Sequence, residues 1–477
     1  MNIRELPGPR GLPILGNSLQ IHPSRFHLIA EEWSRKYGDY FRVRIGGRQL
    51  LVMKNPESIA AVLRDRPEGF GRTQRLNQIA REMGFEGLFS VNGEQWRRQR
   101  PMVMAGLDPA HIKSYFPALV RVTQRFARRW QRAAAAGESI DLQADLMRYT
   151  VDVTAGLAFG ADINTLESDG NVIQSHLDKV FPALHRRLLR PFPRWRWLTL
   201  PADRALAGHL AELRGAVDGF IAMARKRMDA DPSLRERPAN LIEAMIAARD
   251  NEGSGLHDAD VAGNVLTMLL AGEDTTANTL AWTIYLLSRH SEATQRARDE
   301  VRTVIGAEAL PTQYEQLPRL AFVEACAHET MRLKPVAPIL IKQAARDSVV
   351  GGIMIPAGQL VMLLTRPAAT DERHFPDPEA FDPARWMAEA APGRAASSAK
   401  RVSMPFGAGP RLCPGRYLAM LEMKMVIAML LGGFEIESVA TADGGEPREQ
   451  MAFTMAPLGL RMRLSRNGDS HHFRQSS

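Results

Sequence analysis

The chain has 477 residues, 45% hydrophobic and 24% charged, and its 61 Lys plus Arg outnumber 53 Asp plus Glu, giving a formal net charge of +8. That is an ordinary globular balance, and the modest basic excess reads either as a solvated surface or as a contact for an acidic partner or anionic ligand. Nucleic acid is unsupported, because zinc-finger and leucine-zipper spacings are absent, and two cysteines, Cys326 and Cys413, fit a reducing, cytoplasmic compartment.

In chain order, "MNIRELPGPRGLPILGN" lacks the apolar core of a signal peptide, and its prolines favour an extended lead-in. No run reaches the ~18 apolar residues of a membrane span, so no integral anchor is expected. Residues 39–53, "YFRVRIGGRQLLVMK", read as β structure. Apolar residues at three- and four-residue spacing predict helices over 114–134, 171–190, 203–229, 239–249, 258–289 and 291–305. Within 185–201, "HRRLLRPFPRWRWLTLP", arginines alternate with Phe192, Trp195 and Trp197. This stretch reads as a lid with solvated arginines in preference to a strip lying on an anionic bilayer. Cys326 lies on an apolar helix face and reads as packing. Further β-like runs occur at 349–364 and 452–464, 388–400 is a loop, and 466–477 is a polar tail. The expected architecture is one large domain over 1–465, mainly α with a minor β portion.

Cys413 stands in "PFGAGPRLCPGRYLAM", residues 405–420. Gly407, Gly409 and Gly415 allow sharp turns and close backbone approach. The helix beginning near Gly415 offers unpaired N–H groups, and Arg411 adds a cation, so a lowered thiol pKa is expected. A stabilised thiolate suits a nucleophile or a metal ligand. No histidine base lies nearby in sequence, and the further Cys or His ligands of a zinc site are missing. A single thiolate is what haem iron accepts, with a structural cysteine in an unusual loop as the alternative.

Phe406, Gly409, Arg411, Cys413 and Gly415 spell F-x-x-G-x-R-x-C-x-G, which resembles the haem-ligand signature of the cytochrome P-450 family. Glu329 and Arg332 in "ETMR" resemble its E-x-x-R, and Arg385 in "FDPARW" its proline–arginine segment. "AGEDTT", 271–276, resembles its oxygen-activation stretch, and Trp96 with Arg100 in "WRRQR" its W-x-x-x-R.

The resemblance implies the P-450 fold, haem b on the Cys413 thiolate, O2 as co-substrate, and NAD(P)H used indirectly through redox partners. Trp96, Arg100 and Arg411 would meet the haem propionates, with Phe406 in the same loop. Lys342 stands where an arginine is usual; it can pair but not fork. Ala369 likewise stands where a histidine is frequent. Glu329, Arg332 and Arg385 would form a structural ion network. Asp274 and Thr275 would be the acid–alcohol pair that delivers protons, beside the small Ala271 and Gly272. The alternative for this pair is a solvent-facing Asp274 and a Thr275 bonded back to its own helix.

An apolar pocket is implied around Phe70, Leu88, Phe89, Leu269, Ala271, Val336, Ile339, Leu340 and Phe453. Arg72, Arg75 and Arg81 nearby are expected to face water. The implied activity is a haem-thiolate monooxygenase acting on an apolar small molecule such as a fatty acid, terpenoid or steroid. Asp274 and Thr275 argue against a peroxide-driven or rearranging enzyme and against a haem sensor. No flavin or iron–sulfur motif follows Cys413, so electrons are expected from an acidic ferredoxin or flavodoxin with its reductase. The expected docking patch on a monomer is Arg97, Arg98, Arg416 and Lys424.

Overall fold

The computed structural model of the chain describes residues 1–168, 172–190, 193–387 and 396–466; Phe192, residues 388–395 of the predicted loop and tail residues 467–477 lie outside them. The first helices are α1 (Phe26–Tyr37), α2 (Pro56–Arg64), α3 (Gln74–Met83) and α4 (Gly93–Ala105). α5 (Pro109–Ala136), α6 (Leu142–Phe159), α7 (Val172–Leu189), α8 (Pro201–Ala230), α9 (Leu241–Asp250), α10 (Asp258–Arg289), α11 (Ser291–Ile305) and α12 (Ala321–Leu333) make the helical bulk. α13 (Thr365–Ala369) and α14 (Ala396–Val402) are short, and α15 (Arg416–Gly433) follows the cysteine loop.

The helix boundaries have local causes. Asn55, Thr73, Asp108 and Asp141 accept backbone N–H groups at the starts of α2, α3, α5 and α6. Gly84, Gly137 and Gly160 end α3, α5 and α6 in the left-handed region. The striped helices α5 and α7–α11 lie where the spacing predicts them. α6 was not visible by that signal. It packs along α10 with Tyr149, Val151, Asp152 and Val153 all buried, and a helix enclosed on every side shows no polar stripe.

A five-stranded sheet runs in the order β1 (Tyr40–Ile45), β2 (Arg48–Met53), β8 (Leu360–Leu364), β5 (Ile339–Ala344), β3 (Phe70–Gly71). Only the β2–β8 pairing is parallel. The β1–β2 hairpin turns at Gly46, whose φ of 58° suits a primed turn. Three small sheets complete the fold: β4 (Ile140–Asp141) with β12 (Arg461–Arg466) and β9 (Phe434–Ala440); β6 (Ser348–Val350) with β7 (Ile353–Ile355); and β10 (Glu449–Met451) with β11 (Met455–Pro457). The β10–β11 hairpin reaches α10, and its base is pinned by ions. Arg366 holds both Glu31 (2.9 Å) and Glu449 (2.8 Å), while Glu449 also meets His27 (3.0 Å) and Lys334 (2.7 Å).

Candidate active site between the cysteine loop and the long helix

The loop around Cys413 is tied to its surroundings by backbone contacts. The Cys413 N–H donates to the Phe406 carbonyl at 3.0 Å. Gly409 adopts φ 71°, and a Cβ there would come within 2.6 Å of the Arg64 Cα, so only glycine lets the loop press against α2. Arg100 donates to the Leu412 carbonyl (2.8 Å) and Arg416 to the Cys413 carbonyl (3.3 Å). Burial pushes the Cys413 thiol pKa up; the N–H groups of Gly415 and Arg416 and the charges of Arg100 and Arg416 pull it down without prevailing. The expected lowered pKa is therefore corrected: the lowering groups are present, but burial outweighs them. A coordinated metal deprotonates a thiol outright, which overrides this balance. Cys326 is fully buried, as a packing residue is.

Five cations collect beside this loop. Arg66 donates to the carbonyls of Leu63 (3.0 Å) and Ala408 (3.3 Å), and Arg72 to that of Phe89 (2.7 Å). Arg411 donates to the Val91 carbonyl (2.7 Å) and to the Asn92 amide oxygen (3.4 Å). Lys342, on β5, reaches only its neighbour's carbonyl, at 3.4 Å. Arg100 is the fifth. Among the described residues no carboxylate forms an ion pair with any of them, and the buried Nε of Arg411 has no hydrogen-bond partner. Burial and mutual repulsion push Arg72 and Arg411 down to about 9, and burial alone brings Arg66 to about 10. The Lys342 ammonium is held well below its ordinary value by burial, then by Arg72, Arg66 and Arg411.

Buried and half-buried cations without acids need an anion, and the two propionates of haem b are anions of that kind. The donor set fits the group. Trp96 lies buried beneath Arg411, whose guanidinium stands 4.8 Å from its ring centre. Arg66 had no sequence signal at all. Arg72, expected in water, is turned inward. Arg75 instead donates to the Arg187 carbonyl (2.6 Å), and Arg81 is exposed and paired with Glu86 (2.7 Å).

The long helix α10 is enclosed from Thr276 to Leu287, but Met268, Ala271 and Thr275 along one face are not buried. This uncovered stripe at helical spacing is where a flat group can lie. Gly272 points the other way. A Cβ on it would meet Thr154 Oγ1 of α6 at 2.4 Å, so its smallness serves the α6–α10 contact. Thr275 donates to the Ala271 carbonyl at 2.9 Å, the back-bonded state. Asp274 does not simply face solvent: one oxygen accepts from Asn278 (2.8 Å) and the other from Thr454. Neither partner was foreseen.

Glu329 and Arg332 of α12 are both fully buried and paired at 2.7 Å, and Arg385 approaches Glu329 at 3.3 Å. Trp386, unassigned from sequence, donates to Glu329 at 2.8 Å. Arg332 also holds the carbonyls of Ala369 (2.7 Å), Pro378 (2.6 Å) and Ala380 (2.9 Å). Ala369 thus serves the network through its backbone although it lacks the histidine side chain.

The cytochrome P450 family model matches residues 6–464. The chain belongs to the cytochrome P450 family. This P450 is an oxidoreductase of the monooxygenase type, and its family uses haem and O2. It is 28% identical to cyclooctatin synthase of Streptomyces melanosporofaciens over 96% of this chain and 95% of that one. It is 26% identical to pentalenene oxygenase of Streptomyces avermitilis over 96% of each. A solved cytochrome P450DA heme domain superimposes with TM-score 0.84 at 24% identity, covering 98% of this chain and 99% of its own, which shows the shared fold. Among the described residues no helix of this P450 is long and apolar enough to cross a membrane.

Of the pocket residues expected in this P450, Phe89 and Phe453 meet edge to face at 5.8 Å, and Phe453 stacks on Phe181 at 5.1 Å. Val336, Ile339 and Leu340 are half-buried around the start of β5. Leu88 is buried, with its N–H on Asn264 (2.8 Å). Phe70 and Leu269 sit inside packed core and line no open surface, which corrects their assignment. The expected docking patch is also altered. Lys424 is buried against Glu324 and the Leu317 carbonyl, because α15 is enclosed from Glu422 to Leu431. Arg97 pairs with Glu68 (2.7 Å), and Arg98 with Glu94 (3.3 Å). In the 185–201 stretch, Trp195 and Arg196 are fastened to Glu82 of α3 (3.0 and 2.6 Å), while Trp197 is 75% exposed.

Proposed function

We propose that this P450 inserts one oxygen atom of O2 into a C–H or C=C bond of an apolar, terpenoid-like molecule, using electrons from separate carrier proteins. The observation that carries the reading is the pairing of Cys413 and an acid-free cation cluster with the uncovered Ala271–Thr275 face of α10. Cys413 would ligate a haem iron and Arg100, Arg411, Lys342, Arg66 and Arg72 would meet its propionates; a haem so held would supply the O2-activating iron, with thiolate ligation favouring O–O cleavage.

The chain's own groups do the rest. The aromatic cluster of Phe89, Phe181 and Phe453 excludes water and binds an apolar body. Thr275, freed from the Ala271 carbonyl, orients a water or donates its hydroxyl proton, and Asp274 relays protons from bulk. The terpenoid class is supported by the likeness to the pentalenene oxygenase and the cyclooctatin synthase over nearly the whole chain. An acidic ferredoxin or flavodoxin would meet Arg97, Arg98 and Arg416 on the cysteine side.

The test is a spectral titration of the haem protein with terpene hydrocarbons, fatty acids and steroids, followed by product analysis with a ferredoxin and its reductase. Terpenes that bind and gain one oxygen support the reading. Binding and oxygenation confined to fatty acids or steroids removes the terpenoid class, and a reduced carbon monoxide spectrum without the thiolate shift removes the haem assignment.

A further inference from the structure

The β10–β11 hairpin carries two adjacent side chains into different chemistry. Its tip closes with the Ala452 N–H on the Thr454 carbonyl (2.9 Å), and Phe453 between them takes φ 92°, a left-handed conformation that a bulky residue adopts only when its surroundings impose it. That turn sends Phe453 into the aromatic cluster, against Phe181 and Phe89. It sends Thr454, only 6% exposed, to Asp274, to which its hydroxyl donates.

The other Asp274 oxygen is fixed too. Asn278 is fully buried and donates to it at 2.8 Å, while its own oxygen accepts from Gln143 at 2.7 Å, so the amide cannot turn. The hairpin cannot slide freely either. Glu449 at its base is clamped by Arg366, His27 and Lys334, and Met455 donates to the Val336 carbonyl at 2.8 Å.

We infer that Thr454 is a positioning residue that restrains Asp274, and that the hairpin tip makes this restraint depend on how Phe453 is packed. An apolar molecule seated against Phe453 moves the tip and loosens Thr454, so the one carboxylate oxygen that Thr454 holds can turn to relaying protons when the pocket is filled. This rests on reading Asp274 as the proton-relaying group.

The test needs neither substrate nor partner. The haem protein is reduced chemically and mixed with oxygenated buffer in H2O and D2O, and its return to the oxidised spectrum is timed. One electron leaves with O2 as superoxide, and proton delivery assists that departure. Thr454→Val keeps the shape and removes the donor, and it should speed the return about fivefold, the factor one ordinary hydrogen bond is worth. Thr454→Ser should restore the wild-type rate. Thr454→Val should have no effect in an Asp274→Asn background. Infrared spectra supply a second readout: a carboxylate band identified by its loss in Asp274→Asn should shift in Thr454→Val but not in Thr454→Ser.

An unchanged rate and an unmoved band in Thr454→Val overturn the inference, as does equal acceleration when Asp274 is already Asn. Phe453→Ala should speed the return as well; if it does not, the link to the aromatic cluster falls. If Asp274→Asn alone changes neither the rate nor its isotope effect, the reading of Asp274 falls instead.

Discussion

Trp386 donates its indole N–H to Glu329 at 2.8 Å inside a site from which both Arg332 and Glu329 are wholly hidden from water. The indole therefore satisfies a charge that two arginines alone would leave short of donors. Trp386→Phe should cost about 1–3 kcal/mol, the price of an unmade bond to a buried charge. Glu329→Ala, which strands Arg332 and Arg385, should cost about 3–5 kcal/mol. Urea unfolding of the haem protein measures both, and equal small losses would contradict the network.

Removing single cations from the acid-free cluster should weaken retention of haem. Lys342→Met and Arg72→Leu should each speed transfer of haem to excess apomyoglobin by about tenfold, since charge-assisted hydrogen bonds are worth ~1.5–3 kcal/mol. Arg81→Leu, on the surface with Glu86, should leave the transfer rate unchanged.

Thr275→Ala should still draw electrons but send more of them to hydrogen peroxide, whereas Asp274→Asn should chiefly slow turnover. The measurement is product and peroxide formed per NAD(P)H consumed. A Thr275→Ala protein with unaltered yield would take the hydroxyl out of proton delivery.

Glu422 of α15 is a buried acid whose Oε2 has no hydrogen-bond partner, and burial holds its pKa well above the usual carboxylate range. The fold thus favours the neutral acid. Above the unfolded pKa of ~4.3 the group therefore costs stability, and below it the cost vanishes. Glu422→Gln should stabilise the protein by about 1–3 kcal/mol at neutral pH and by nothing near pH 4. Denaturation at the two pH values reads the difference.

Because Arg97 and Arg98 are already shared with Glu68 and Glu94, charge reversal there should affect a partner only through the remaining field. Arg97→Glu with Arg98→Glu should slow reduction by an acidic ferredoxin at low salt, with the gap closing as salt rises. Substrate-induced spectral shifts should stay the same.

What could be read from the chain alone was what repeats or clusters locally. Helices such as α10 and α11 announce a stripe, and the Cys413 loop and the Glu329–Arg332 pair occupy a few neighbouring residues. The misses share a different cause. Thr454 meets Asp274 across 180 positions, and Arg66 and Arg72 join Arg411 only through folding. Such pairings leave no period behind. α6 and Lys424 failed for another reason: total enclosure erases the polar face that marks a helix or a surface lysine.

The contact of Gly272 with Thr154 divides α10 into two faces with unequal freedom. On the Ala271 side a larger or smaller side chain changes only the room offered to a ligand. On the Gly272 side even a methyl group would come within 2.4 Å of Thr154 Oγ1, so the α6–α10 contact must shift to admit it. A library meant to retune selectivity therefore has its safe positions at Met268 and Ala271, one turn apart. The neighbouring glycine acts as the gauge that fixes how closely α10 sits on α6.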